Sequence, residues 1–283
     1  MRYIAPARDA VDPRVFGQMP LAAWREHAGL FESHAWPCIE ALNACRPAGM
    51  RERFAAQTRE LLADGLHYEQ RIAERGEIAT RENNWHDLFN ALIWLRHPVL
   101  KRALNARQMA EIVHMGIKQR SRAQYALTHF DEAGVVVALR DTALLALWDA
   151  HDWHGLFWRE RAAWLDGRIR VDVFGHALLE HALTPGQLLV GKAVVVVDPG
   201  ASPTAIDDAC AQAILGAEVL RDPLELRPLP LCGLPGWDEA SEREAFHLGN
   251  PSYCPLREGR RYPAPLPLAR RAPGGAVTVL SQS

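Results

Sequence analysis

The stretch RENNWHDLFNALIWLRHP, residues 81–98, opens an otherwise apolar helix with two asparagines, a tryptophan, a histidine and an aspartate. At about 100° per residue, His86 and Asn90 stack four apart with Asp87 beside them. Trp85, Leu88, Phe89, Leu92, Ile93 and Leu95 fill most of the remaining circumference. A helix so apolar is mostly buried, and a buried polar group without a partner costs about 1–3 kcal/mol. The strip must therefore have partners, and Lys101, Asn105 and Gln108, four and three apart on the next helix, offer a facing one. Two readings stay open. In one, the strips line a polar pocket where His86 activates water or binds a cation, Asp87 or Asp131 orients or ligates, and Asn90 fixes the geometry. In the other, they form a buried network that only satisfies itself.

Other constellations add candidates. His176 and Glu180 share a helix face at four-residue spacing and can hold an ion, a weaker signal than HExxH. Asp131 and Glu132 follow His129 in an acidic turn, as turn-forming residues or as ligands. His86, Asp131, His176 and Glu180 are thus the candidate ligands of a divalent metal ion. The run KQRSR, residues 118–122, brings Lys118, Arg120 and Arg122, a solvated loop or a grip for phosphate or carboxylate. Lys101, Asn105, Arg120 and Arg122 make up the candidate ligand-binding set. His151 and His154, three apart, either reach one ion or edge a packed helix. The sequence has no phosphate-binding P-loop, no GxGxxG fingerprint and no GxSxG nucleophile turn.

The elements that must position these residues read as α+β. Two helical pieces are expected in the first 50 residues, then a strand in MRERFAAQ and a β-hairpin over residues 66–81 turning at Arg75-Gly76. A helix runs from Asn84 to a stop before Pro98, with His97 outside it, and a second begins at Pro98 and ends at Gly116. AQYALTHF and GVVVALR, around DEAG, read as a second β-hairpin. A long helix is expected over 142–165, strands in RIRVDV and QLLVGKAVVVVD, and helices in FGHALLEHAL and, capped at Ser202, in SPTAIDDACAQAIL. Proline spacing beyond Val219 forbids long regular elements, so an extended segment wraps the body. The expectation is a single domain over residues 1–256, with helical and β-hairpins, and a basic Pro/Gly-rich tail over 257–283 that is partly disordered.

At 283 residues, 48% hydrophobic and 23% charged, the chain has the composition of a globular protein with a substantial core. A formal net charge of -2 supplies no bulk attraction for nucleic acid or anionic membrane, so a nucleic-acid reading would need a local patch. Five cysteines without a CxxC spacing read as reduced thiols. The first residues lack the pattern of a secretory signal and no apolar run approaches the roughly 20 residues of a spanning helix. A soluble cytoplasmic protein is expected, and abundant Ala and Arg over Lys hint at a GC-rich bacterial genome.

NNWHDLFNALIWLRHPVLKRALNARQ, RSRAQYALTHFDEAGVVV, VFGHALLEHALTP and PLPLCGLPGW together resemble the bacterial DUF3025 family, whose function is unknown, over about Phe54 to Arg257. The resemblance implies that His86, Asp87, Asn90, Lys101, Asn105, Arg122, Asp131, Glu132, His176 and Glu180 occupy the family's characteristic polar positions. It also implies that Tyr125 stands where the family usually has an acid. No reaction follows from it. Two function classes remain. The preferred one is a metal-dependent hydrolase, phosphodiester-directed by analogy with ββα-metal nucleases, with Lys101 and Arg122 neutralising a phosphate. Such nucleases carry their histidine on a strand or the loop after it, whereas His86 opens a helix. The other is a non-catalytic binder of a small anionic ligand or partner peptide, gripped by Lys101, Arg120 and Arg122.

Overall fold

The computed structural model describes residues 3–116, 119–198 and 200–268. The helices that matter for the site are, in chain order, α1 (Ile39–Ala44), α2 (Tyr68–Arg75), α3 (Trp85–Arg96), α4 (Pro98–Met115), α5 (Arg122–Ala133), α6 (Leu144–Asp149), α7 (His176–His181) and α8 (Pro203–Leu215). The strands are β1 (Arg53–Ala56), β2 (Glu77–Thr80), β3 (Gly134–Leu139), β4 (Ile169–Val173), β5 (Val190–Val197), β6 (Arg227–Pro230) and β7 (Leu266–Pro267). The fold is α+β. A mixed sheet runs β4-β3-β5-β6, with β7 beside the far end of β5, and β1 pairs with β2 in a separate parallel pair. β3 lies antiparallel to β4 and parallel to β5 and is buried along its whole length, as a Val-rich central strand requires.

Helix α3 forms where its sequence pattern demands. The Asn84 side chain caps it by accepting from the Asp87 N–H, and nine of its twelve residues are buried. His97 leaves helical geometry (φ -122°, ψ 50°) and Pro98 takes the first position of α4, so one residue links the two helices.

Both expected β-hairpins are corrected. Residues 68–75 are the helix α2, whose Tyr68 and Ile72 lie one turn apart, ended by Gly76 in the left-handed region (φ 65°); β2 after it pairs with β1 rather than folding back. Residues 122–133 are the helix α5, started by a reciprocal capping box between Ser121 and Gln124. Its buried Ala123, Ala126, Leu127 and Phe130 recur at helical spacing, which a short apolar run disguises as strand alternation. Gly134 turns no hairpin but carries α5 straight into β3, since a Cβ there would strike the Phe130 carbonyl. The long helix expected over 142–165 is broken into α6, a π-helical turn Gly155–Arg159 and a short helix Arg161–Leu165, with His151 at φ 55° and Asp152 accepting from the Gly155 N–H. Much of the helical content expected in the first 50 residues is 3-10 helix, including Leu21–His27.

One continuous cluster of buried side chains extends from Val11 to Leu266. The tail is docked as far as it is described: Pro263 accepts from Arg227 (2.7 Å), Tyr262 bonds His151 (2.9 Å) and Leu266 is buried. Residues 269–283, where the partly disordered end was expected, lie outside the described residues.

Candidate functional site

Three side chains on α3, His86, Asn90 and Trp94, recur every four residues and so line one face. They border a cavity of about 300 Å³ closed by α2, α4, α5 and the start of α7. The placement of α7 depends on Gly175. A Cβ at that position would lie 2.5 Å from Ala133 Cα and from the Gly134 nitrogen, so only glycine lets α7 begin against the end of α5. That contact sets His176 beside Asp131 and Glu132.

At the cavity's outer end, His86 Nδ1 bonds Glu180 (3.0 Å) and His86 Nε2 faces His176 Nε2 at 3.0 Å, with the two rings near perpendicular. His176 is buried, and its Nδ1 lies 3.9 Å from Asp131 without a hydrogen-bond partner among the described residues. One ligand atom each from His86, His176 and Glu132 lie within 4.8 Å of one another. The hydrogen bond to Glu180 holds the His86 pKa above the usual value, despite burial. Burial lowers His176 to about 3, which keeps it neutral. Glu132 is raised, chiefly by burial. Burial alone would raise Asp131 too, but Lys101 and the histidines bring it below the ordinary carboxylate value.

While both rings are neutral, protons cannot be arranged well between them. With its Nδ1–H committed to Glu180, His86 presents a lone pair at Nε2. If His176 donates to it from Nε2, the buried His176 Nδ1 points a lone pair toward the Asp131 carboxylate. If the proton sits on Nδ1 instead, two lone pairs face each other at 3.0 Å. A proton on His86 Nε2, donated to His176 while His176 Nδ1–H faces Asp131, or a metal ion between the Nε2 atoms resolves both cases, and the donor set of two histidines and a carboxylate suits a metal ion.

The anion grip does not assemble. Lys101, fully inside, donates to Asn90 Oδ1 (2.8 Å) and Asp131 (2.6 Å). Asn105 donates to the Glu69 carbonyl and carboxylate, Arg120 to Thr128 and the Gln124 carbonyl, and Arg122 pairs with Asp222 on the surface (2.6 Å). Lys118 lies outside the described residues. Asp87 borders the cavity but accepts three hydrogen bonds from Arg81, pinning the exit of β2 to the start of α3. Of the four expected metal ligands, His86 and His176 meet. Glu180 bonds the far nitrogen of His86, Asp131 lies 3.9 Å from that of His176, and Glu132, which the sequence offered as a turn-forming residue or a ligand and among the family's polar positions, has an oxygen within reach of the pair. Treating 122–133 as helical would have found it, because Thr128, Asp131 and Glu132 then share a face.

Elsewhere, His129 is exposed, His151 bonds the Cys254 carbonyl and Tyr262, and His154 pairs with Glu244, so none joins the centre. Tyr125, in place of the family's acid, is 47% exposed under Arg120 and does not line the cavity. Among the described residues no helix is long and apolar enough to cross a membrane.

No curated protein and no solved structure matches the chain. A family model described as a protein of unknown function, DUF3025, matches residues 52–257, a span that contains every residue of the histidine centre and of the cavity behind it. The chain therefore belongs to the DUF3025 family.

Proposed function

We propose that the protein is a metal-dependent hydrolase whose divalent ion is held by His86 Nε2, His176 Nε2 and the Glu132 carboxylate. The observation that carries this reading is the pair of facing Nε2 atoms 3.0 Å apart, with His86 hydrogen-bonded to Glu180 through its other nitrogen and Asp131 3.9 Å from that of His176. Metal-bound histidines are oriented in that way, and the backing carboxylates raise their basicity. A zinc ion about 2.1 Å from each nitrogen separates them by about 3.4 Å at a tetrahedral angle, so a few tenths of an ångström of opening accommodates it. Three protein ligands leave a position for water, whose pKa such an ion lowers to about 7, generating hydroxide at neutral pH. Lys101 is buried behind the centre, where Asp131 fixes it and balances its charge. The phosphodiester expectation draws less support, because the cavity's cations Lys101 and Arg81 are already matched by Asp131 and Asp87.

Elemental analysis of the purified chain, as isolated and after chelation and zinc reconstitution, tests the proposal beside folded His176→Ala and Glu132→Gln variants. About one zinc per chain is expected in the wild type, with loss in both variants. No bound metal after reconstitution, or wild-type content in a folded His176→Ala chain, would sink it. Redox-active iron in the isolated protein would overturn the hydrolytic part, since the same donor set serves non-haem iron.

A further inference from the structure

Behind the histidines the cavity continues along α3 into an inner chamber, two helical turns or about 12 Å from His86 to Trp94. Its hydrogen-bonding capacity is uneven, and the network fixes where the surplus lies. Lys101 donates to Asn90 Oδ1, which orients the Asn90 amide so that Nδ2 donates to the Tyr68 hydroxyl (2.8 Å). Tyr68 keeps its proton, because burial raises its pKa, and among the described residues that O–H finds no acceptor. The Trp94 indole, 1% exposed, borders the chamber with its N–H near enough to the Tyr68 hydroxyl to lower that group's pKa, but it makes no hydrogen bond of good geometry among the described residues. Lys101 makes two bonds and holds a third N–H. These are three donors.

The opposite wall supplies acceptors. Asn105 spends its Nδ2 on the Glu69 carbonyl and carboxylate (2.8 and 2.6 Å), leaving Oδ1 free, and Glu69 bonds through only one carboxyl oxygen. Gln108 makes only long contacts through Nε2, at 3.4–3.5 Å. The charges here cancel or are suppressed: Lys101 is matched by Asp131, and burial raises Glu69 toward its neutral form. An anionic group would meet Glu69 and Asp131 at short range, and a cationic group would meet Lys101 and the indole and phenol donors. A neutral group that both accepts and donates satisfies both walls, and each buried group it leaves unpaired weakens binding.

We propose that the inner chamber, formed by Trp94, Tyr68, Lys101, Asn105 and Glu69, is the recognition subsite for a neutral amide-type group, its carbonyl oxygen taking the indole, phenol and ammonium donors and its N–H facing Asn105 and Glu69. Resting on the metal-hydrolase reading for what happens at the outer end, this names the substrate class as neutral molecules with a lactam, ureide or primary amide head group. Asp131 joins the two parts, bonding Lys101 in the chamber and backing His176 at the centre.

Ligand-observed NMR titration of the full chain, metal-free and zinc-loaded, tests this with three probes of matched ring size: 2-piperidone, cyclohexanecarboxylate and cyclohexylamine. The lactam is expected to bind in both metal states, with the two charged probes about ten-fold weaker or more in the metal-free protein. Trp94→Phe and Tyr68→Phe are each expected to weaken the lactam about five-fold, the effect of one lost hydrogen bond. If one variant fails to fold, as read by circular dichroism, the other and the wild-type probe preference still decide. Preference for a charged probe, no lactam binding, or lactam binding unchanged in the folded variants overturns the subsite. Zinc binding without lactam binding sinks the subsite alone. Lactam binding without zinc binding sinks the hydrolase reading and leaves the subsite standing.

Discussion

Glu180 and Asp131 reach this centre from behind, Glu180 through a hydrogen bond to the His86 nitrogen turned away from His176 and Asp131 as a charge 3.9 Å from the far nitrogen of His176. Sequence spacing marks such residues as polar and grouped but cannot say which carboxylate ligates and which backs a ligand. Glu69 shows the same dependence on surroundings. Nothing in its local sequence distinguishes it from a surface glutamate, yet burial raises its pKa, with Asn105 hydrogen bonding working the other way. An acid whose folded pKa lies above its unfolded value contributes a stability loss that starts as pH rises through the ordinary carboxyl value and is complete above the raised one. Glu69→Gln removes the charge and keeps the shape. The melting-temperature difference between Glu69→Gln and wild type is therefore expected to shift in the variant's favour as pH rises above the ordinary carboxyl value of about 4. A difference that stays flat above that value would show that Glu69 ionises as freely in the fold as outside it.

At the scale of elements, the site is a junction of helix ends. The first turn of α3 supplies His86, the last turn of α5 supplies Asp131 and Glu132, and the first turn of α7 supplies His176. Two glycines allow this crowding, Gly134 where α5 becomes β3 and Gly175 where α7 starts against it. The atoms facing Gly175 are backbone and cannot swing aside. Gly175→Ala is expected to cost about 1–3 kcal/mol in a denaturant titration and to reduce zinc retention by displacing His176. Wild-type stability with wild-type zinc content would mean that the junction tolerates movement. The α3–α4 helical hairpin was legible in sequence because Asn84, His97 and Pro98 act locally. Helix α5 was not, because the eight-residue stretch AQYALTHF fits both helical and strand periods until its cap is weighed.

For the whole molecule, the segment before the family-matched region is part of the core. Leu21, Trp24, Phe31 and Leu42 are almost fully buried, Phe31 packs on Phe89 and Trp36 on Trp85. Trp85 donates to the Pro6 carbonyl, and Tyr3 donates to the Glu180 carbonyl beside the histidine centre. At about 1.5–3 kcal/mol for each large apolar side chain, their removal costs on the order of 10 kcal/mol, comparable with the whole stability of a domain. A chain beginning at Glu52 is therefore expected to lose its near-ultraviolet circular dichroism and cooperative melting. Retention of both would show that residues 52–257 fold without the N-terminal segment.

The sequence by itself determined the α+β class, the buried α3–α4 pair and the polar strip His86, Asn90, Lys101 and Asn105. These follow from caps, prolines and periodicity, whose forces reach only a turn or two along the chain. The meeting of His86 with His176, 90 positions apart, and with Glu180, 94 apart, was decided by tertiary structure alone. So was the approach of Glu132, rather than Asp131, to the two facing nitrogens. Which atoms converge depends on how closely α7 packs against α3 and α5, and that distance is set by side-chain volume and two glycines, not by any local signal.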